Sequence, residues 1–190
     1  MKKLLIILFF IPWFSYSQNT GAREYSASRS IITGKKFIID TVFGGADTKP
    51  KKIYIDALAG NSYSDLTTIY YKSGVTEGLV IGLFAPVENE FGNRFWMYTY
   101  KNLDREDAIS FFNIVDEIKD GEKKYLNDDN NNNLYFKIRD LVFLLNIQGG
   151  YKIKVFWDEY RADWDGSSFE KSRRRFERSL SRSARGKIDN

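Results

Sequence analysis

The sequence predicts an α+β fold: a mainly antiparallel β-sheet of about seven to nine strands, one inserted amphipathic helix and a basic C-terminal helix. The chain has 190 residues, of which 43% are apolar and 16% aromatic, which is enough for one globular domain with a substantial core. Most of its length alternates apolar and polar residues with the period of strands, and two segments change to a helical period. We therefore expect a single domain.

The first residues have the three parts of a secretory signal peptide. Lys2 and Lys3 form a basic start, an apolar stretch covers Leu4–Phe14, and the small residue Ser17 precedes the expected cleavage site. Export would place the protein in the periplasm, at the outer membrane or outside a bacterial cell. The predicted organisation is a signal peptide at 1–17, a flexible N-terminus at 18–30, the domain at 31–183 and a frayed basic tail at 184–190.

The body of the chain has the pattern of successive short strands. Each is rich in Ile, Val, Tyr, Phe or Thr and is followed by residues typical of turns. Further on, Gly149 and Gly150 predict a two-residue hairpin turn, after which Ile153, Val155 and Trp157 share one strand face. The strands predicted before the first helix cover 35–44, 51–58, 66–73, 78–87 and 93–101.

The amphipathic helix is predicted from about Arg105 to Asp120. Asp104 stands at its N-cap position, and Gly121 is placed to end it. The apolar residues between them recur three or four positions apart, which predicts one buried face. That face consists of Ala108, Ile109, Phe112, Val115 and Ile118.

A second helix is predicted over about 168–183, because Ser167 and Glu170 have the spacing of a capping box. At about 100° per residue its apolar and basic residues separate onto opposite faces, with Arg173 the exception on the apolar side. We expect the apolar face to dock on the sheet. The apolar face holds Phe169, Phe176 and Leu180. The basic face, which is the first candidate binding site, holds Lys171, Arg174, Arg175, Arg178, Arg182 and Arg185.

Positive charge is concentrated around that helix. Residues Lys171–Asn190 contain eight basic and two acidic residues, whereas the rest of the mature chain is net negative. A basic face of this kind can bind an anionic surface, for example lipid headgroups or an acidic polysaccharide. The alternative interpretation is the solvated face of a docked helix.

The second candidate site is an aromatic strand. Trp96, Tyr98 and Tyr100 alternate along it and therefore share one face of the sheet. An exposed aromatic strip can stack on sugar rings or receive a partner. The alternative is that these rings form the core face of the sheet under a helix.

The missing residue types restrict the chemistry. The chain has no cysteine and no histidine, which excludes a disulfide scaffold, Ser-His-Asp and Cys-His catalysis, and zinc sites built on those ligands. Catalysis would have to use carboxylates, Lys or Tyr, or an oxygen-ligated metal. Among these, Glu159, Asp163 and Asp165 are the candidates for a glycosidase-like carboxylate pair. We predict no cofactor and no metal, since a calcium loop over Arg161–Ser172 would lack carboxylates at its first and last positions.

Together these features favour an exported, non-catalytic protein of the bacterial cell envelope. We expect it to bind an envelope protein, an anionic membrane surface or a glycan through the basic helix or the aromatic face. One alternative is a carboxylate-dependent glycan hydrolase that uses the acidic cluster at 158–165, and another is a structural subunit of an envelope assembly. Nucleic acid is not an expected partner, because export separates the protein from it. No segment after the signal has the apolar length of a membrane-spanning helix.

Overall fold

The structure, a computed structural model, describes residues 27–45, 48–61, 65–121, 133–146 and 151–188. The predicted signal peptide and the turn at Gly149 and Gly150 lie outside the described residues. Of the N-terminal segment predicted to be flexible, residues 27–30 belong to a helix and Ser30 is buried.

Within the described residues the chain forms two four-stranded antiparallel sheets and three helices. Helix α1 comprises 27–37 and widens into a π-helical turn at Ile38–Val42. Sheet 1 consists of β1 (Tyr54–Gly60), β2 (Leu66–Ser73), β3 (Thr76–Glu88) and β4 (Arg94–Asp104), and is followed by α2 (Arg105–Gly121). Sheet 2 consists of β5 (Asn133–Ile138), β6 (Leu141–Asn146), β7 (Lys152–Trp157) and β8 (Tyr160–Asp165), and is followed by α3 (Gly166–Ala184). In both sheets the spatial order of the strands is their chain order.

The α+β class agrees with the sequence prediction, but the eight strands form two sheets rather than one. Each sheet buries one face in a common core, which α2 and α3 complete. Such an arrangement buries apolar faces that a single open sheet would expose. Helix α2 follows the fourth strand instead of the fifth, because the segment predicted as the first strand is helical.

That segment, 35–44, was wrongly predicted as a strand. Residues 27–42 are helical, and the buried positions Ser30, Gly34 and Ile38 recur every four residues, which is a helical spacing. Its β-branched and aromatic residues favour strands locally, but here Phe37, Ile38, Val42 and Phe43 pack on the outer face of sheet 1. Tertiary packing therefore overrides local propensity.

The shared core is centred on Phe111 of α2. Its ring lies 4.5 Å from that of Phe143 and 5.7 Å from that of Trp164. The helix begins where Asp104 accepts a hydrogen bond from the backbone N–H of Asp107 at 3.0 Å, as expected of an N-cap. The predicted positions Ala108, Phe112 and Val115 are buried and Ile109 and Ile118 half-buried, whereas Phe111 was not predicted.

Helix α3 begins two residues earlier than the predicted capping box. Its N-cap is Asp165, which ends β8 and accepts hydrogen bonds from the backbone N–H of Ser168 at 2.9 Å and from the hydroxyl of Ser167 at 2.6 Å. Glu170 is consequently not a capping residue and binds across to α2. The small hydroxyl residues in the buried stripe let the helix approach sheet 1 closely. That stripe consists of Phe169, Ser172, Phe176, Ser179 and Ser183, with Leu180 half-buried beside it.

The residues that follow α3 as far as Ile188 form a hydrogen-bonded turn within the segment 184–190, for which the sequence predicts a frayed tail. Gly186 has a φ of 65°, and its N–H bonds to the carbonyl of Ser183 at 2.9 Å. The N–H of Lys187 bonds to the carbonyl of Arg182 at 3.0 Å. This is a Schellman motif, which satisfies the last carbonyls of the helix, and it directs Ile188 back into the core.

Candidate functional site

The outer face of sheet 1, opposite the shared core, carries a row of aromatic rings. Strand pairing places Phe84 of β3 opposite Tyr98 of β4, beside Trp96 and Tyr100. The Phe84 ring lies 4.5 Å from that of Tyr98 and 5.1 Å from that of Trp96, and the Tyr98 and Tyr100 rings are 6.4 Å apart. These spacings are those of interacting aromatic pairs. We call Trp96, Phe84, Tyr98 and Tyr100 the aromatic row.

Helix α1 covers one end of the aromatic row. The Tyr100 hydroxyl donates to the carbonyl of Ser30 at 2.7 Å and hydrogen bonds with Thr33, and its ring stacks on Phe37 at 5.5 Å. Burial raises the pKa of the Tyr100 hydroxyl. The other end of the row lies beyond the helix, where Trp96 is 63% exposed.

Two glycines allow this close packing. A Cβ added at Gly82, which lies opposite Tyr100 in the sheet, would be 2.5 Å from Tyr100 Cε1. One added at Gly34 of α1 would be 2.5 Å from Ile69 Cδ1 and 3.1 Å from Tyr100 Cε1. Gly82 thus leaves room for the ring to lie across β3, and Gly34 lets α1 rest on that ring.

A groove of about 560 Å³ opens between α1 and the exposed end of the aromatic row. Arg29 and Thr33 of α1 line one side, and Trp96 and Tyr98 line the other. The groove therefore places flat aromatic faces next to hydroxyl and guanidinium groups. Apolar surface with a few polar groups at fixed positions is the usual composition of a small-molecule or sugar site.

The three aromatic residues singled out from the sequence do share one face, but neither sequence interpretation describes the whole strip. Tyr100 is covered by a helix, whereas Trp96 is exposed. Phe84 was not among the predicted residues. The turn between β3 and β4 is centred on Phe91, so the two strands pair residues that are equally far from Phe91 in the sequence, and Phe84 lies opposite Tyr98. The residues of α1 that line the groove were not predicted, because no helix was predicted over residues 27–42.

The basic residues predicted as a binding face divide into two groups, of which the first binds within the molecule. Arg175 donates to the backbone carbonyl of Leu58 in β1. Arg182 donates to the Tyr54 hydroxyl at 3.2 Å and lies 5.6 Å from the centre of that ring. Arg175 uses an unpaired carbonyl of β1, which is an edge strand, and Arg182 uses a side chain of the same strand. The two arginines thus attach α3 to the edge of sheet 1.

The second group points away from the molecule. Arg174 and Arg185 donate from Nε to carbonyls four residues earlier in their own helix, at 3.3 Å and 3.0 Å. No member of this group forms an ion pair with another described residue. We call the group the basic ridge, and it consists of the exposed residues Lys171, Arg174, Arg178 and Arg185.

Arg173, the charged exception on the apolar side, joins α3 to α2. It pairs with Asp116, while Lys119 of α2 pairs with Glu170. Burial alone would raise the pKa of the Glu170 carboxyl, but hydrogen bonds from Lys119 and Tyr151 and the charge of Arg173 outweigh it and lower that pKa. Burial and the bond to Glu170 raise the pKa of the Tyr151 hydroxyl. This cluster is a structural contact between the two helices.

The acidic residues proposed for catalysis also have local structural roles. Asp165 is the N-cap of α3. Asp163 lies opposite Lys154 in the sheet and pairs with it at 3.3 Å. Glu159 occupies the exposed two-residue turn between β7 and β8, next to Asp158 with its φ of 48°. No set of three or more carboxylates in the described parts of the chain is placed to hold a metal ion.

Two further findings complete the description. None of the helices in the described residues has the length and apolar character needed to cross a membrane. Comparisons of the chain with protein-family models, with curated proteins and with solved structures found no match. Function is therefore inferred from the geometry of the chain.

Proposed function

We propose that this protein is an exported, non-catalytic binding protein of the bacterial cell envelope, and that it holds a glycan on the aromatic row. The observation that carries the proposal is the exposed end of the row, where Trp96 continues a stack formed with Phe84 and Tyr98. The apolar face of a sugar ring matches a flat aromatic face in shape, and its hydroxyls need hydrogen-bonding groups beside that face. The groove places the Arg29 guanidinium and the Thr33 hydroxyl beside these rings.

The arrangement of the row supports a binding role. Single exposed apolar residues are normal on protein surfaces, but a contiguous apolar patch beside a groove is typical of an interaction site. Here Tyr100 is fixed before a ligand arrives, because Ser30 and Thr33 anchor its hydroxyl, and ring contacts extend from it through Tyr98 and Phe84 to Trp96. A fixed platform loses little conformational entropy when it binds.

The rest of the proposal depends on the sequence. The segment 1–17 has the pattern of a secretory signal, which supports export and a place in the cell envelope. The lack of histidine and cysteine leaves carboxylates as candidate catalysts, and Asp163 and Asp165 have the structural partners described above. A hydrolase would lose turnover when both are replaced by Asn, whereas the proposed binding protein would retain its affinity for the glycan.

Calorimetric titration of the mature chain, Gln18–Asn190, with cellohexaose, chitohexaose and soluble peptidoglycan fragments tests the proposal. We expect one of these glycans to bind and Trp96→Ala to weaken that binding at least tenfold, which corresponds to about 1.4 kcal/mol. Phe91→Ala is the matched control, because Phe91 is 79% exposed but lies in the β3–β4 turn outside the row. Equal affinity of the Trp96→Ala variant and the wild type would contradict the proposal.

A further inference from the structure

We infer that the basic ridge is a second and separate binding surface, which adsorbs the protein onto the anionic headgroups of a lipid bilayer with α3 lying along the membrane plane. The inference goes beyond glycan binding. It depends on the charges of α3 and on no residue of the aromatic row.

The ridge is a straight line of like charges. From Lys171 to Arg185 a helix rises about 21 Å, and the four ridge residues fall within an arc of about 60°. The acidic residues of α3 lie outside this arc on the side of α2, where Glu170 pairs with Lys119 and Glu177 lies 3.9 Å from Arg173. Within this arc the helix therefore presents positive charge without interspersed negative charge.

The contacts that hold α3 on the rest of the fold do not involve these four charges. Helix α3 is held by the buried rings of Phe169 and Phe176, by its N-cap and by the arginines that contact β1 and α2. Arg174 and Arg178 stand four residues apart, a spacing at which like charges slightly destabilise a helix. A purely structural account thus explains Arg173 and Arg175, and it gives Arg185 a bond to a carbonyl in the last turn, but it gives no reason for a line of like charges.

The shape of the ridge favours an extended anionic surface. The ridge is the convex side of a helix, and the aromatic residues of α3 are turned inward and buried. A convex line of exposed cations can meet a plane of headgroups, but it does not enclose a small anion or stack on sugar rings. With no apolar residue to insert, adsorption is electrostatic, and each lysine or arginine near an anionic membrane strengthens it about fivefold.

Co-sedimentation of the mature chain with vesicles tests this inference. We expect binding to vesicles that contain phosphatidylglycerol, no binding to phosphatidylcholine vesicles, and release at about 0.5 M salt, where charges are screened within a few ångströms. Replacing all four ridge residues by Gln should lower the affinity several hundredfold, whereas replacing the three arginines of the ridge by Lys should preserve most of it. The matched control removes four exposed charges elsewhere, at Lys35, Lys137, Lys152 and Arg161, and should change binding little.

Three results would overturn the inference. The first is undiminished vesicle binding by the four-Gln variant, and the second is an equal loss in the matched control. The third is wild-type protein that ignores phosphatidylglycerol vesicles but sediments with polygalacturonate, which would make the partner an acidic polysaccharide. The dependence of wild-type vesicle binding on lipid composition and salt is measured without any variant. It therefore tests the inference even if the four-Gln variant does not fold. Trp96→Ala should leave vesicle binding unchanged, which separates this surface from the glycan site.

Discussion

Replacing Arg173 by Ala should destabilise the fold clearly more than replacing Arg178, although both lie on α3 and carry the same charge. The side chains of Arg173 and Asp116 are 24% and 27% exposed, which is intermediate between surface pairs worth about 0.2–1 kcal/mol and buried pairs whose disruption costs about 3–5 kcal/mol. Among the described residues, removal of Arg173 would also leave Asp116 with Lys119 at 3.8 Å as its remaining ion-pair partner. We expect a loss of about 1–2 kcal/mol.

Arg178 makes no ion pair with a described residue, so its replacement should change the free energy of unfolding by less than about 0.5 kcal/mol. For a domain of this size the expected loss at Arg173 lowers Tm by about 2–8 °C. Urea and thermal unfolding followed by circular dichroism measure both effects, and a double-mutant cycle with Asp116→Ala isolates the pair. Equal destabilisation by the two substitutions, or no coupling between Arg173 and Asp116, would refute the division of the arginines into structural and outward-facing groups.

Three other predictions concern the row, the helix cap and pH. Gly82→Ala should displace the Tyr100 ring, lower the free energy of unfolding by about 1–3 kcal/mol through overpacking and weaken glycan binding. Unfolding and calorimetric titration curves identical to those of the wild type would contradict the close contact between Gly82 and Tyr100. Asp165→Ala should cost about 1 kcal/mol as the loss of an N-cap and leave glycan affinity intact, while Asp163→Asn should be nearly neutral in both assays. Because the folded pKa of Glu170 lies below its ordinary value of 4.5, its stabilisation is present above that pH and is lost as pH falls through the folded pKa. The difference in unfolding free energy between wild type and Glu170→Gln should therefore shrink below about pH 4.5, and a constant difference across that range would contradict the assignment.

Local sequence signals predicted those parts of the molecule that local physics determines. Strand β2 occupies the predicted residues 66–73, and Asp104 caps α2. The helix at 27–42 was missed because its Ile, Val and Phe residues favour a strand locally, while the contacts that make it helical come from distant β2 and β3. The division into two sheets likewise depends on non-local pairing, which a single sequence does not contain.

The candidate site was only partly predictable for a similar reason. The period of two in β4 was sufficient to place Trp96 and Tyr100 on one face. The fact that one ring is covered and the other exposed depends on where α1 ends on the sheet. The helical period also separated basic from apolar residues in α3, but the different roles of Arg175 and Arg178 depend on the neighbouring edge of β1, which only the folded chain brings close.

The most direct test of the proposed function is collisional quenching of tryptophan fluorescence by acrylamide, with and without a glycan shown to bind by calorimetry. Among the tryptophans that the structure describes, Trp96 is exposed whereas Trp157 and Trp164 are buried, so quenching in the mature chain reports mainly on Trp96. A glycan seated on the aromatic row should protect Trp96 and lower the quenching constant toward that of the Trp96→Ala variant. A bound glycan that leaves Trp96 fully accessible to acrylamide would contradict the proposal that the aromatic row is the binding face.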